Sequence, residues 1–237
     1  MLTNDTIIET TSVHTGKEKK AYILMITQDF HIAAVEGNIG AGKSSLLVKL
    51  QTSLNNLQTN GKQWKVLYEE VESDPMFQKL LLDFTQDPKK RINFQRYITQ
   101  RRAEVCEDLD THYNYIIERS LFSDLIFCQA NLMEACRPDG KDLDYYYDIE
   151  DRLTDYPLVS AVVYLRTDPK VCFDRMQSRA RSQEEGTPLN YITLLSGMHD
   201  VMLPQICAKY NTSLIIHDWT YFGCADSLAR RIVSAIT

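Results

Sequence analysis

Long apolar runs are missing from this chain of 237 residues, and none reaches the roughly 20 residues that a membrane-spanning helix needs. Cysteine is sparse: six residues, at 106, 128, 136, 172, 207 and 224, form no CxxC pair. That spacing argues against a zinc site or a disulfide framework and suits reduced, half-buried thiols of a cytosol. There is no basic excess either. A net charge of -6 gives no general attraction to DNA, RNA or an anionic membrane, so neither nucleic acid nor membrane is an expected partner. A small anionic ligand then needs a local basic pocket. The first thirty residues hold lysines but no arginine and no apolar core, which argues against a transit peptide and a secretory signal. Residues 1–28 read as a polar leader ending in an apolar stretch, and 29–237 as a single domain of a cytoplasmic protein.

What is present alternates. Five short apolar runs, Phe30 to Val35, Lys65 to Glu69, Tyr113 to Ile117, Ala161 to Leu165 and Ser213 to Ile216, suit buried parallel strands. Helical patterns separate them. Leu46, Leu47, Leu50 and Leu54 repeat at helical spacing after Lys43, and that helix should stop near Asn55-Asn56. Asp168-Pro169 offers a carboxylate cap and a first-turn proline. The pattern predicts an α/β fold of three layers, a five-stranded parallel sheet flanked by helices. Ligands of such sheets bind beyond the carboxyl ends of the strands. Residues 136–158 read as an irregular, acidic, Tyr-rich stretch in which Tyr145, Tyr146 and Tyr147 suit packing.

Glycine is scarce too, yet three of the nine fall in Gly37-Asn38-Ile39-Gly40-Ala41-Gly42-Lys43-Ser44-Ser45. This satisfies G-x-x-x-x-G-K-[ST] between a strand and a helix, a P-loop whose backbone N–H groups and helix N-terminus cradle phosphates. Lys43 can reach the β and γ oxygens, and Ser44 can bind Mg²⁺. The motif implies ATP or another nucleoside triphosphate. A guanine-reading Asn-Lys-x-Asp is absent, and so is a strand ending in a Walker-type aspartate. Instead Glu69-Glu70-Val71 and Glu118-Arg119-Ser120 bring acids to one sheet edge from two strands. Arg175, Arg179 and Arg181 follow the fourth strand. Arg175 and Arg179 are four apart and share a helix face, where two like charges invite an anion such as a transferring phosphoryl group.

Taken together, Glu36 to Ser44, Phe94-Gln95, Glu118 to Asp124, Tyr164 to Pro169 and Arg179 to Tyr191 resemble the deoxyribonucleoside kinase family, which includes the deoxycytidine and deoxyguanosine kinases. The resemblance implies an ATP- and Mg²⁺-dependent transfer to the 5′-hydroxyl of a deoxyribonucleoside, and a homodimer resting on helices near Gln95 and Asp124. It implies that Glu69 is the general base, that Glu118 holds Mg²⁺ with Ser44, and that Arg119 lies against the 5′-oxygen. Gln95 would pair with the base edge, Glu184 would bind the 3′-hydroxyl, and Arg175, Arg179 and Arg181 would be lid arginines. Trp219 to Gly223 would lie near the adenine of ATP.

Gln95 and Arg102 are seven apart, two helical turns, so both can face one pocket. Asp124 matches the position that pairs with an arginine in deoxycytidine and deoxyguanosine kinases, which predicts deoxyguanosine, deoxyadenosine or deoxycytidine ahead of thymidine. Val71 and Phe84 complete the substrate-binding set. Glu70 stands where the family has proline, the following tryptophan is absent, and Phe84 or Thr85 replaces a tyrosine that helps hold the 3′-hydroxyl. Gln183 replaces a lid acid. Two alternatives stay open. A nucleoside monophosphate kinase resembling thymidylate kinase would need a basic acceptor-phosphate site near the second strand, where Glu69-Glu70 is acidic. A non-catalytic accessory subunit of the same fold would be expected to have a degraded phosphate loop.

Overall fold

Six consecutive buried residues, Ile32–Gly37, form β1, the middle strand of a five-stranded sheet ordered β2-β3-β1-β4-β5 in the computed structural model. It describes residues 28–57, 59–69, 73–134, 140–181, 184 and 186–237. The other strands are β2 (Gln63–Leu67), β3 (Tyr113–Glu118), β4 (Ala161–Arg166) and β5 (Ser213–Asp218). All four pairings are parallel, with Ala34 opposite both Ile117 and Val162. The strand positions expected from the apolar runs hold to within two residues at either end.

β1 is apolar from Ile32 to Val35 because both faces are covered. Side chains alternate across a strand, so Ile32 and Ala34 enter one core with Leu125, Ile126 and Leu203. Ala33 and Val35 enter the other with Leu46, Leu47, Leu50 and Leu228. The second core is built from α1 (Lys43–Leu57) and α8 (Ala225–Ile236). Burying each such side chain contributes about 1.5–3 kcal/mol, so the centre of the sheet is where a site can be held most firmly.

Between these lie α2 (Pro75–Gln86), α3 (Arg91–Val105), α4 (Leu121–Glu134), α5 (Gly140–Arg152), α6 (Pro169–Arg179) and α7 (Leu189–Lys209). Asp168 caps α6 by accepting from the N–H groups of Lys170 and Val171, with Pro169 in the first turn, as its dipeptide predicts. Asp74 caps α2 in the same way and also accepts the Tyr97 hydroxyl at 2.7 Å, which fastens α2 to α3. α6 stops at Ala180, which is left-handed with φ 51°. Arg181 and Glu184 follow it in the chain.

One expectation is overturned. Most of the stretch read as irregular is helical, because Tyr145, Ile149 and Leu153 recur every four residues and are 3%, 0% and 7% exposed. The acidic residues of α5 mask that stripe in composition but occupy its other faces. Cys106, Cys128, Cys172 and Cys207 are buried, and Cys224 is exposed. Among the described residues no helix is long and apolar enough to cross a membrane. The leader expected over 1–28, apart from its last residue, lies outside the described residues, as do Cys136, Glu70, Val71 and Gln183.

Candidate active site

The carboxyl ends of β1, β2 and β3 lie side by side, and each continues into polar residues. Gly37 closes β1 at φ 145°, and a Cβ there would stand 2.9 Å from the Leu165 carbonyl oxygen on β4. Glycine meets both demands. Lys43 opens α1 and is 6% exposed. Its Nζ donates to the carbonyls of Asn38 at 2.9 Å and Gly37 at 3.4 Å, so the loop's own main chain receives the ammonium. Burial, and then the charge of Arg119, draw that ammonium down to about 7; a polyanion in the loop would reverse this.

Ser44 Oγ donates to Glu118 Oε1 at 2.8 Å. A hydroxyl and a carboxylate side by side are hard oxygen donors, which fits Mg²⁺ held by one carboxylate and substrate phosphates rather than by an all-protein cage. Among the described residues no cluster of three His, Cys, Asp or Glu is arranged for a metal. Asn38 carries the loop to α7, its Nδ2 donating to the Ile192 carbonyl at 2.7 Å.

The turn after β3 is held from β1. Glu36 is fully buried and accepts from Ser120 N and Oγ, both at 2.7 Å, and from Ser123 Oγ. That clamp carries Arg119 in a left-handed conformation, φ 63°. Its guanidinium donates to the Gly37 carbonyl at 2.8 Å, lies 4.7 Å over the Phe127 ring and comes within 3.7 Å of Glu69.

Glu69 follows the end of β2 by two residues and is ion-paired to Arg102. Burial opposes its ionisation, but the guanidinium groups of Arg102 and Arg119 outweigh this and hold the carboxyl below its ordinary range. Arg102 also donates to Asp124 Oδ1 at 2.6 Å. The same oxygen accepts from Gln95 Nε2 and Thr99 Oγ1, each at 3.0 Å. Burial pushes the Asp124 carboxyl up while the Arg102 guanidinium pulls it back.

These groups surround one cavity of about 250 Å³, near the lower end of small-ligand sites at about 300 Å³. Gly40, Lys43 and Ser44 line one end, and Glu69, Gln95 and Arg102 the other. Phe77, Leu81 and Phe84 from α2, with Phe94 and Ile98 from α3, form an apolar wall. Phe84 stacks on Phe94 with centroids 5.9 Å apart. Gln95 and Arg102 thus share a pocket, as their spacing predicts. Asp124 is fully buried and reaches the cavity through Gln95 and Arg102.

Phe84 and Thr85 both line the cavity, and neither supplies a phenol. The three arginines that follow β4 divide differently from expectation. Arg179 and Arg181 line the cavity with Glu184, and Arg179 Nη2 meets both Glu184 oxygens at 2.6 and 2.7 Å. Arg181 Nη1 is 3.6 Å from Glu184. The anion beside these arginines is therefore Glu184. Arg175 does not share their surroundings. It donates to the Thr220 carbonyl at 2.9 Å and the Ala41 carbonyl at 3.3 Å, and stacks 4.3 Å from Phe222. Main-chain oxygens accept from its guanidinium. The Trp219 to Gly223 segment lies beside the phosphate loop, since a Cβ on Gly42 would come 2.9 Å from the Phe222 ring.

Sequence reasoning missed Phe127 and Asn131, which line the cavity. The signal was available: they follow Asp124 by three and seven residues, the spacing of one helix face. Tyr191 also lines the cavity, its hydroxyl donating to Asn131 Oδ1 at 3.0 Å.

Known proteins are similar to this chain. The chain is 32% identical over 202 residues to a deoxyguanosine kinase of Dictyostelium discoideum, aligning 81% of this chain with 65% of that protein's length. It is 26% identical over 208 residues to deoxycytidine kinase of Homo sapiens, covering 75% of this chain and 77% of that one. Among solved structures, deoxyadenosine kinase from M. mycoides with bound dATP shares the fold at a TM-score of 0.68 and 23% identity, over 86% of this chain and 99% of that chain. The family model described as "Deoxynucleoside kinase" matches residues 33–236, and the chain belongs to that family.

Proposed function

We propose that this protein transfers the γ-phosphoryl group of ATP to the 5′-hydroxyl of a deoxyribonucleoside, preferring deoxyguanosine, deoxyadenosine and deoxycytidine to thymidine. The observation that carries the reading is the single cavity, lined by Lys43 and Ser44 at one end and by Glu69, Gln95 and Arg102 at the other. Deoxyguanosine, deoxycytidine and deoxyadenosine kinases among its relatives support the base preference.

Glu69 accepts the proton of the 5′-hydroxyl as that oxygen bonds to phosphorus and the bridging oxygen of the leaving diphosphate departs. The two guanidinium groups keep that carboxylate ionised, the form that can take a proton. Arg119 steadies the attacking oxygen. Lys43, Arg179 and Arg181 neutralise charge on the transferring group. Ser44 and Glu118 would hold Mg²⁺, which when bound supplies charge neutralisation between the phosphates. For the lid arginines to act, Glu184 must release Arg179; a sugar 3′-hydroxyl offers Glu184 a replacement partner. A homodimer belongs to the same reading, and Met133 at the end of α4 leaves an apolar side chain 52% exposed for it; sedimentation equilibrium reads the mass.

The test is phosphorylation of deoxyguanosine, deoxyadenosine, deoxycytidine, thymidine and thymidine monophosphate with ATP and Mg²⁺. Product at the 5′ position of the first three, with thymidine slower, is the expected result. Turnover of the monophosphate alone would move the protein to the monophosphate kinases. ATP binding without any turnover would leave an accessory nucleotide-binding protein.

The acid limb of the rate profile offers a second check. The base must be ionised, and its carboxyl is held low, so activity is present above that lowered value and lost as pH falls through it. Arg102→Met removes the largest influence opposing burial, so the acid limb of kcat/KM should move to higher pH. An unmoved limb would separate Glu69 from the titration.

A further inference from the structure

The hydrogen bonds of Arg119 gather at one corner of its guanidinium. Nη1 donates to the Gly37 carbonyl at 2.8 Å and to Ser123 Oγ at 3.2 Å, and the Glu69 carboxylate stands 3.7 Å from Nε. Bonds that leave from one nitrogen form a pivot, about which a flat group can still tip. What covers the face is Phe127 of α4, its ring centroid 4.7 Å from the guanidinium carbon. Arg119 is 5% exposed, so water competes little for that face. A cation over an aromatic ring is held most strongly where it is desolvated.

Other rings back Phe127 in turn. His199 of α7 is fully buried and stands nearly perpendicular to Phe127, at 86° with centroids 6.0 Å apart. Its Nδ1 lies 2.7 Å from the Leu195 carbonyl, which can only accept, so Nδ1 carries a proton. Burial draws the imidazole down to about 3, so no second cation opposes Arg119 from behind the ring. His199 stacks on Tyr164 of β4 at 5.8 Å and 15°, and the Tyr164 hydroxyl donates to Asp200 at 3.0 Å. The rings thus run from the sheet to the cavity wall, where Phe127 ends them.

We propose that Phe127 is a positioning residue whose ring face fixes the plane of the Arg119 guanidinium, so that Arg119 meets the attacking 5′-oxygen in one orientation. The proposal rests on the kinase reading above, since Arg119 must act on that oxygen. Without the attraction of the ring, the guanidinium would be tipped for part of the time. A group displaced in this way lowers the rate of the chemical step, while nucleoside affinity, assigned to Gln95 and Arg102, is left as it was.

Fluorine on the ring separates this role from packing, because it drains negative charge from the ring face with little change of shape. Mono-, di- and trifluorophenylalanine at position 127 should slow the single-turnover transfer to deoxyadenosine stepwise, by about 5- to 30-fold at the third fluorine, the factor for a desolvated cation–ring contact. The dissociation constant of the nucleoside, from calorimetry, should stay level across the series. Phe127→Leu should be at least as slow as the trifluoro protein, and thermal melting confirms that each variant is folded. A transfer rate that is flat across the fluorinated series overturns the proposal, even if Phe127→Leu is slow, since only packing would then be at stake. A nucleoside dissociation constant that rises stepwise at constant rate also overturns it, by placing the ring against the substrate instead. Wild type that binds ATP and phosphorylates no deoxynucleoside overturns the kinase reading and the proposal together.

Discussion

Glu69→Gln is expected to lower kcat/KM for a deoxynucleoside by at least about 100-fold, within the range for loss of a general base. The substitution keeps the size and planarity of the side chain and removes only its capacity to take a proton. Its surroundings make the effect larger than for an exposed acid. Glu69 is the carboxylate that both Arg102 and Arg119 face, so glutamine leaves two buried guanidinium groups short of a counter-charge. Breaking a buried pair in this way costs about 3–5 kcal/mol, although Asp124 still holds Arg102. A melting curve must accompany the kinetics, and a titration should still find a saturable ATP site. If a folded variant turned over within a few-fold of wild type, the base would be another carboxylate, with Glu70 next in the chain.

Lys43→Met should act at the other end of the cavity. Methionine preserves most of the stem and deletes the ammonium, and losing one such preorganised charge lowers turnover by about 100- to 1,000-fold. Two effects combine. The triphosphate loses its nearest buried cation, and the Asn38 and Gly37 carbonyls lose the donor that draws the loop together. ATP affinity and the transfer rate should therefore both fall, while nucleoside binding, which the proposed function assigns to Gln95 and Arg102 at the far end of the cavity, persists. Calorimetry with each substrate separately checks this division. Wild-type ATP kinetics in the variant would remove the phosphate loop from the reaction.

The two ends of the site differ in how far they could be read before the fold was known. The phosphate loop is contiguous, and its glycines, lysine and serine act through a local turn between a strand and a helix; eight residues carry their own geometry. Glu69 and Glu118 were legible because they follow apolar runs, and parallel strands deliver whatever follows them to one edge. Phe127 was readable from helical spacing but lay outside every motif. The α5 helix was obscured because its acidic faces dominate composition while its buried stripe is one residue in four.

By itself, then, the sequence determined the five parallel strands, the phosphate loop and the family, all of which rest on periodicity or on short ordered motifs. Tertiary structure alone decided which partners the charges take. Glu184 meets Arg179 five residues earlier because a left-handed Ala180 lets the chain turn back. Arg175, on the same helix, spends its charge on carbonyls from two distant loops. Asp124 on α4 gathers Gln95, Thr99 and Arg102 from α3, with Tyr145 of α5 behind them. A buried charge must find donors wherever packing brings them, and packing joins residues that no spacing along the chain connects.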